Sequence, residues 1–286
     1  MRTVHDKQAL RASLTEARRA QRTIGLVPTM GYLHEGHLSL LRAARRECDL
    51  VVMSLFVNPT QFRPGEDLDA YPRDEDRDAA LADAEGVDLI YAPPADLVYP
   101  EGFSTFVEVP GLTDVLCGDP QRRGAEHFRG VTTVVTKLFN TVAPDVAYFG
   151  QKDAQQAIVI RRMTADLDYP IRIEVLPTVR ESDGVAMSSR NAYLSEAERA
   201  RAAAIPRALA LAERTARSGD LEAALAAARG ELEAAGVEPE YLEARDAEDL
   251  SALAAMNGRP VLVAVAARIG DARLIDNVVI PALINP

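Results

Sequence analysis

Apolar positions along the chain alternate between short continuous runs and longer stretches in which they recur every three or four residues. "TIGLVP" (23–28) is a short apolar run, and "DLVVMSLFVN" (49–58) is nearly continuous. Continuous runs of this length predict strands buried on both faces. Between them, "GHLSLLRAARREC" (36–48) carries Leu38, Leu41, Arg42 and Arg45 at helical spacing. The rhythm continues with a charged helix over 74–86, a strand at "VDLIYAP" (87–93) and a helix at "GVTTVVTKLFNTVA" (130–143). "PDVAYFG" (144–150) then predicts a strand, "DAQQAIVIRRMTADL" (153–167) a helix, and "IRIEVLPT" (171–178) a further strand. The first 22 residues, "MRTVHDKQALRASLTEARRAQR", predict an amphipathic helix.

Strand and helix alternating through short connections predict an α/β fold, a Rossmann-like doubly wound parallel sheet with right-handed crossovers. Ligands of such sheets bind beyond the carboxyl ends of the strands, at the switch point. Three polar segments sit at strand ends: "PTMG", "NPTQF" and "GQKD". The pattern changes near residue 180, where "VRESDGVAMSSRNAYLS" is polar and turn-rich. Ser195 and Glu198 then form a capping box before an Ala-rich region (196–235) that reads as two helices broken at "SGD". "RPVLVAVAARIGDARLIDNVVI" predicts two strands around an "IGDARL" turn. The expected organisation is a Rossmann-like domain over 1–179 and a smaller α+β domain over 180–286. There is no fixed-period repeat.

Composition narrows the partners. The chain has 286 residues, 48% hydrophobic and 26% charged, with a formal net charge of −11. That acidity argues against broad nucleic-acid binding, which needs a basic footprint. An anion site must therefore be local, built from a few converging cations and N–H groups. No apolar run approaches the roughly 18 residues that span a bilayer, and the N-terminal stretch lacks a secretory apolar core. The two cysteines, Cys48 and Cys117, form no CxxC pair, so a reduced, cytoplasmic protein is expected.

Two of the four histidines lie three apart in "PTMGYLHEGHLSLL" (28–41). A zinc-protease helix needs histidines at i and i+4, and here Leu38 occupies that place. A metal would then need a third ligand from elsewhere, His127 being the available histidine. A purely structural pair must also account for Gly31 and Gly36, poor helix formers at a helix start. The third reading is a grip on phosphate. A strand ends, a glycine turn follows, and a helix N-terminus directs free N–H groups outward. His34 and His37 share one face and can donate to oxygens that gain charge during attack at phosphorus.

"HEGH" resembles the His-x-Gly-His signature of the nucleotidyltransferase superfamily. "PTMGYLHEGH", "FVNPTQF", "YPR", "HFRGVTTVV", "FGQKDAQQ", "PTVRESDGVAMSSRN" and "YLEARD" follow in order. Together they closely resemble the pantothenate synthetase (pantoate–β-alanine ligase) family over nearly the whole chain. The resemblance implies an AMP-forming ligase that condenses ATP-activated pantoate with β-alanine. Pantoate carboxylate attacks the α-phosphorus to give pantoyl adenylate and pyrophosphate. The β-alanine amine then takes the acyl group and AMP leaves.

The same resemblance implies residue roles. Met30, Gly31, Tyr32, Leu33, His34, Glu35, Gly36 and His37 match an ATP-binding segment, with His37 the family's proton donor. Gly150, Gln151, Lys152 and Asp153 match an ATP loop, Lys152 facing phosphate and Asp153 the ribose. Val179 lines the adenine pocket, and Met187, Ser188, Ser189 and Arg190 form the mobile signature loop that clasps pyrophosphate. Gln61 and Gln156 bind pantoate, Gln61 also β-alanine, with Gln155 expected to be exposed. His34, His37 and Lys152 are the expected catalytic residues. Mg²⁺ is expected with ATP, its ligands unassigned because Asp76 and Asp78 cannot be separated by sequence. A mobile second domain acting as a lid and a homodimer are also implied. The loop "RRGAEHFRG" (122–130) departs from the family's Arg-Pro-Gly-His-Phe pattern. Another nucleotidyltransferase of the superfamily, or a non-catalytic nucleotide sensor, are the alternatives.

Overall fold

Tertiary pairing overrides local helical pattern at the start of the chain. In the computed structural model, residues 2–4 form a strand, β1 (Arg2–Val4), and helix α1 (Lys7–Arg19) begins only after Asp6, whose carboxylate accepts the Ala9 N–H. The structure describes residues 1–63, 65–66, 68–256 and 258–282. Asp67 of the acidic run, and residues 257 and 283–286 of the expected second domain, lie outside the described residues.

β2 (Ile24–Thr29), β3 (Leu50–Leu55), β4 (Leu89–Tyr91), β5 (Val146–Gly150) and β6 (Arg172–Leu176) complete a six-stranded parallel sheet with β1. The spatial order is β1-β4-β3-β2-β5-β6. The chain therefore winds outward from β2 in one direction and resumes at β5 in the other, putting the switch point between β2 and β5. Helices cover both faces. α2 (Glu35–Glu47) and α3 (Glu75–Ala84) pack Leu41, Ala44 and Ala82 on Val27, Val51 and Met53. On the opposite face α1, α5 (Ala125–Val142) and α6 (Ala154–Asp166) pack Leu14, Phe139 and Val159 on Leu26, Val52 and Ala147. The expected doubly wound α/β sheet is the observed one.

Several boundaries move. β3 stops at Leu55, because Asn58 caps a 3-10 turn at Pro59–Gln61 rather than continuing the ladder. The helix expected from residue 130 starts five residues earlier, at Ala125. A four-residue helix, α4 (Ala95–Val98), follows β4. The Ala-rich region holds three helices, α7 (Glu196–Ala202), α8 (Ala204–Ala216) and α9 (Leu221–Ala234), because the expected first helix breaks at Ala203.

The last layer is an antiparallel sheet of β7 (Pro239–Asp246), β8 (Val261–Ile269) and β9 (Ala272–Ile280). The mixed sequence "PEYLEARD" of β7 shows no clean apolar alternation, so pattern alone predicts no strand there. Alternate residues of β8 enter different cores. Leu262, Ala264 and Ala266 join the cluster that includes α5 and α6, whereas Val261, Val263, Val265 and Ala267 pack under α7–α9. Among the described residues no helix is long and apolar enough to cross a membrane.

Gly130 marks the tightest approach near the switch point. A Cβ there would sit 2.4 Å from the Thr60 carbonyl oxygen and 2.7 Å from the Gln61 nitrogen. The Asn58 side chain closes the same joint by donating to the Gly130 carbonyl at 3.0 Å. Gly130→Ala must push α5 away from the turn carrying Gln61. It is expected to destabilise the protein by about 1–3 kcal/mol in urea unfolding, a cost that unchanged stability would contradict.

Candidate active site

The turn after β2 is built on strained backbone. Gly31 has φ +87°, Tyr32 has φ +53°, and a Cβ on Gly31 would meet Leu55 at 2.7 Å and Asp78 at 2.9 Å. The turn directs two successive N–H groups inward, from Tyr32 to Asp78 Oδ2 (2.6 Å) and from Leu33 to Asp78 Oδ1 (2.7 Å). Asp78 is 1% exposed. Its carboxylate is thus committed to holding the turn, which separates it from Asp76, its neighbour in the first turn of α3. A carboxylate three residues into a charged helix gave no sequence signal of this task.

α2 then starts on a histidine cap. His34 Nδ1 accepts the Gly36 N–H at 3.1 Å, and the His34 N–H is donated to His37 Nδ1 at 3.3 Å. This is a capping box with imidazoles in place of Ser and Glu. The rings lie 4.1 Å apart, centroid to centroid. Gly36 is required by this geometry, since a Cβ would lie 2.8 Å from His34 Cε1. The backbone N–H groups of His34 and Gly36, expected to point outward, are instead consumed by the two rings. With each Nδ1 accepting, a neutral ring must carry its proton on Nε2. Burial, and for His34 the charge of Lys152, hold His34 down at about 4. Burial, then His34 and Lys152, push His37 to about 3. Both are therefore neutral hydrogen-bond donors near neutrality.

One cavity of about 250 Å³ opens at the switch point. Met30, His34, Gly36 and His37 line it from the β2 side, and Gly150, Lys152 and Asp153 from the end of β5. Gln61 and Gln156 reach it from the Pro59–Gln61 turn and from α6. Val179, Met187, Ser188, Ser189 and Arg190 close another wall. The remaining expected residues of the two ATP segments do not line it. Tyr32 stacks under Arg77, Leu33 is core, Glu35 pairs with Arg42, and Gln151 bonds to Asn277.

Gln61 is set by several bonds. Its Nε2 donates to Met30 Sδ at 2.9 Å, and its Oε1 accepts from Asn58 Nδ2 at 3.2 Å. His127 Nδ1 donates to the Gln61 carbonyl at 2.7 Å. In its neutral form His127 therefore keeps its lone pair on Nε2, the tautomer opposite to that of His34 and His37. Burial and Arg123 lower its pKa to about 4. The altered 122–130 segment, expected as a loop, is a turn leading into α5 from Ala125; a paired contact of Arg123 to Glu66, at 2.5 and 3.1 Å, braces it, and both Arg123 and His127 line the cavity. Gln155 overturns its expected exposure. It is buried, accepting from Cys117 N–H at 3.0 Å and donating to the carbonyls of Leu112 and Val115. The physical reason is the irregular 105–120 segment, which α6 must satisfy from beneath.

A hairpin over residues 179–187 leads into the signature loop, where Ser188 caps a 3-10 turn at Ser189–Tyr193. Met187 N–H bonds to the Val179 carbonyl, Glu181 N–H to Val185, and Arg199 of α7 grips Glu181 and Asp183. The Arg190 guanidinium lies 5.9 Å from the Tyr71 ring centroid.

Fold and cavity define a class: α/β proteins with a ligand-sized cavity at the sheet's switch point, lined by two histidines and a lysine. A family model described as Pantoate-beta-alanine ligase matches residues 2–279, and the chain belongs to that family. It is 54% identical to the pantothenate synthetase of Moorella thermoacetica, covering 95% of this chain and 96% of that one. It is 52% identical to pantothenate synthetase 1 of Bradyrhizobium diazoefficiens, covering 98% of each. The solved pantothenate synthetase of Thermus thermophilus superposes with a TM-score of 0.90 at 48% identity, over 97% of this chain and 99% of that one. The Francisella tularensis pantoate–β-alanine ligase, crystallised with β,γ ATP and β-alanine, gives 0.79 at 32% identity over 97% of each chain. The chain is accordingly an AMP-forming ligase of pantothenate biosynthesis.

Asp78→Asn keeps one acceptor but leaves an inward N–H unpaired. It should cost about 1–3 kcal/mol, read by thermal unfolding, and an unchanged midpoint would refute the clamp. A histidine kept neutral by the fold binds its proton more weakly than the unfolded chain does. Stability should therefore fall as pH drops from the ordinary histidine value of 6.5 toward about 4. In His37→Asn the slope of stability against pH in that window should flatten by up to about one bound proton. An identical slope would show that His37 is not held neutral.

Proposed function

We propose that this cavity runs the family's ATP-dependent joining of pantoate to β-alanine, with His34, His37 and Lys152 acting on the phosphates. One observation carries the assignment. Two histidines with Nδ1 occupied by backbone N–H groups are fixed as neutral Nε2–H donors in the same cavity as Lys152. Donors held in place before reaction stabilise developing charge without reorganising.

In the first step, pantoate carboxylate oxygen attacks the α-phosphorus and the bond to pyrophosphate breaks. His34 and His37 donate hydrogen bonds to the α-phosphate and leaving oxygens, and Lys152 supplies a point charge. A neutral ring whose pKa is near 3 donates without transferring its proton, so His37 acts here as a hydrogen-bond donor. Asp153 accepts from ribose hydroxyls and Val179 borders adenine through its backbone. Ser188, Ser189 and Arg190 receive pyrophosphate. Gln61 and Gln156 orient pantoate, since an amide can meet both hydroxyl and carboxylate. In the second step, the neutral β-alanine amine attacks the acyl carbon, the bond from that carbon to the AMP oxygen breaks, and the surplus amine proton passes to water. Gln61 faces this nucleophile too, and His127 Nε2 offers an acceptor for its N–H.

Mg²⁺ belongs to the same proposal as the counter-ion of ATP. Among the described residues no group of three His, Cys, Asp or Glu side chains could enclose a metal. Asp153 is the carboxylate lining the cavity beside Lys152. That donor set fits a cation held mainly by phosphate oxygens, which when bound would offset their charge. Division at residues 179/180 with a smaller C-terminal domain covering the site, a homodimer and a cytoplasmic location complete the reading. The family resemblance and the turn-rich stretch after residue 178 support it.

The test is ATP–pyrophosphate exchange with and without pantoate, followed by AMP release on adding β-alanine. Exchange that ignores pantoate would favour another nucleotidyltransferase activity, and no exchange a nucleotide sensor. Lys152→Ala should lower kcat by roughly two to three orders of magnitude. Near-normal turnover would remove Lys152 from the mechanism.

A further inference from the structure

Two adjacent residues of β9 reach from the C-terminal sheet to the Gly150–Asp153 loop and to Arg180 of the hairpin after Val179. Asn277 Nδ2 donates to the carbonyls of Gln151 (2.9 Å) and Lys152 (3.0 Å), and Asn277 Oδ1 accepts from Gln151 Nε2 (3.0 Å). Asp276 takes Arg180 in a two-pronged pair, Oδ2 from Nη1 at 2.6 Å and Oδ1 from Nη2 at 3.1 Å. The same Arg180 Nη1 donates to the Gly184 carbonyl at 3.1 Å, inside the hairpin that carries Val179 and Met187. Asp276 Oδ1 also accepts the Asn277 N–H at 2.8 Å, so the two anchors are bonded to each other.

Strand geometry explains why neighbours can serve different loops. Successive side chains of a strand leave opposite faces. Asn277 pairs across the ladder with Ala264, whose side belongs to the core shared with α5 and α6. Asp276 pairs with Val265, on the side covered by α7–α9. Both are buried, at 5% and 3% exposure. Both donors of the Asn277 amide are used, and the two backbone carbonyls they hold flank Lys152. A buried, fully satisfied network of this kind fixes one geometry strongly.

We propose that Asn277 is a positioning residue for Lys152, and that Asp276 does the same for the Val179–Met187 hairpin through Arg180. The C-terminal sheet is then part of the ATP site's framework as well as a cover for it. The proposal rests on the reading of Lys152 and the hairpin as nucleotide groups. A purely structural role would also bury these bonds, so the test must separate the two.

The measurement is a double-mutant cycle on single-turnover formation of pantoyl adenylate, which reads rates over many decades. Asn277→Ala alone is expected to lower the rate about 10- to 100-fold, as misplacing a catalytic group by an ångström does, with a smaller change in KM for ATP. In a Lys152→Ala background the same substitution should cost less than about threefold, because residues acting as a unit are non-additive. Equal losses in both backgrounds, or a neutral Asn277→Ala, would overturn the inference. A neutral Lys152→Ala would instead overturn the reading beneath it. Asn277→Ser, smaller but still polar, carries the same cycle where the alanine variant folds poorly. Asp276→Asn should raise KM for ATP more than it lowers the rate, and an unchanged KM would remove Asp276 from the proposal.

Discussion

The Asp78 carboxylate is the constraint on which the site depends. β2 ends in a left-handed turn at Gly31 and Tyr32 that exposes two inward N–H groups. Without an acceptor, two buried donors would oppose the turn. Asp78, brought by α3 from 46 residues downstream of Tyr32, takes both. With the turn held, α2 begins where its first residues border the end of β5, and the His34–His37 cap forms at the mouth of the switch point. The glycines on either side serve the same turn: Gly31 for its conformation and Gly36 for room beneath His34.

From that cap the electrostatics follow. Imidazoles that accept backbone N–H groups at Nδ1 cannot easily take a proton there, and burial beside Lys152 disfavours it further. The positive charge bordering the cavity comes from Lys152, Arg123 and Arg190, on three different elements. An acidic chain of net charge −11 thus presents a local site for a polyanion.

Much of this was legible in the residues. Continuous apolar runs revealed β2, β3 and β5, because strands covered on both faces admit few polar positions. "HEGH", "GQKD" and "MSSR" stood at strand ends or in a polar loop, and His34, Lys152 and Ser188 line one cavity. Illegible were features that depend on distant partners. Residues 2–4 become a strand only because β4 offers an edge. Gln155 is buried only because Leu112, Val115 and Cys117 present unpaired backbone groups. Asp78 and Asn277 look like ordinary polar residues until the elements they join are side by side. The helix cap misled for a related reason, since spacing could show histidines on one face but not that their rings would turn back onto their own backbone.

The bonds from Asn277 to the turn around Lys152 span 125 and 126 positions of chain. Contacts of that separation carry a loop-closure cost that local turns do not, and they tend to form after local structure. The Lys152 turn therefore acquires its full set of hydrogen bonds only when the sheet ending in β9 has been made and folded. During synthesis the β2 half of the cavity is available well before the β5 half is secured. The bonding around Lys152 is thereby tied to completion of the fold through β9, whereas the turn before His34 needs only α3.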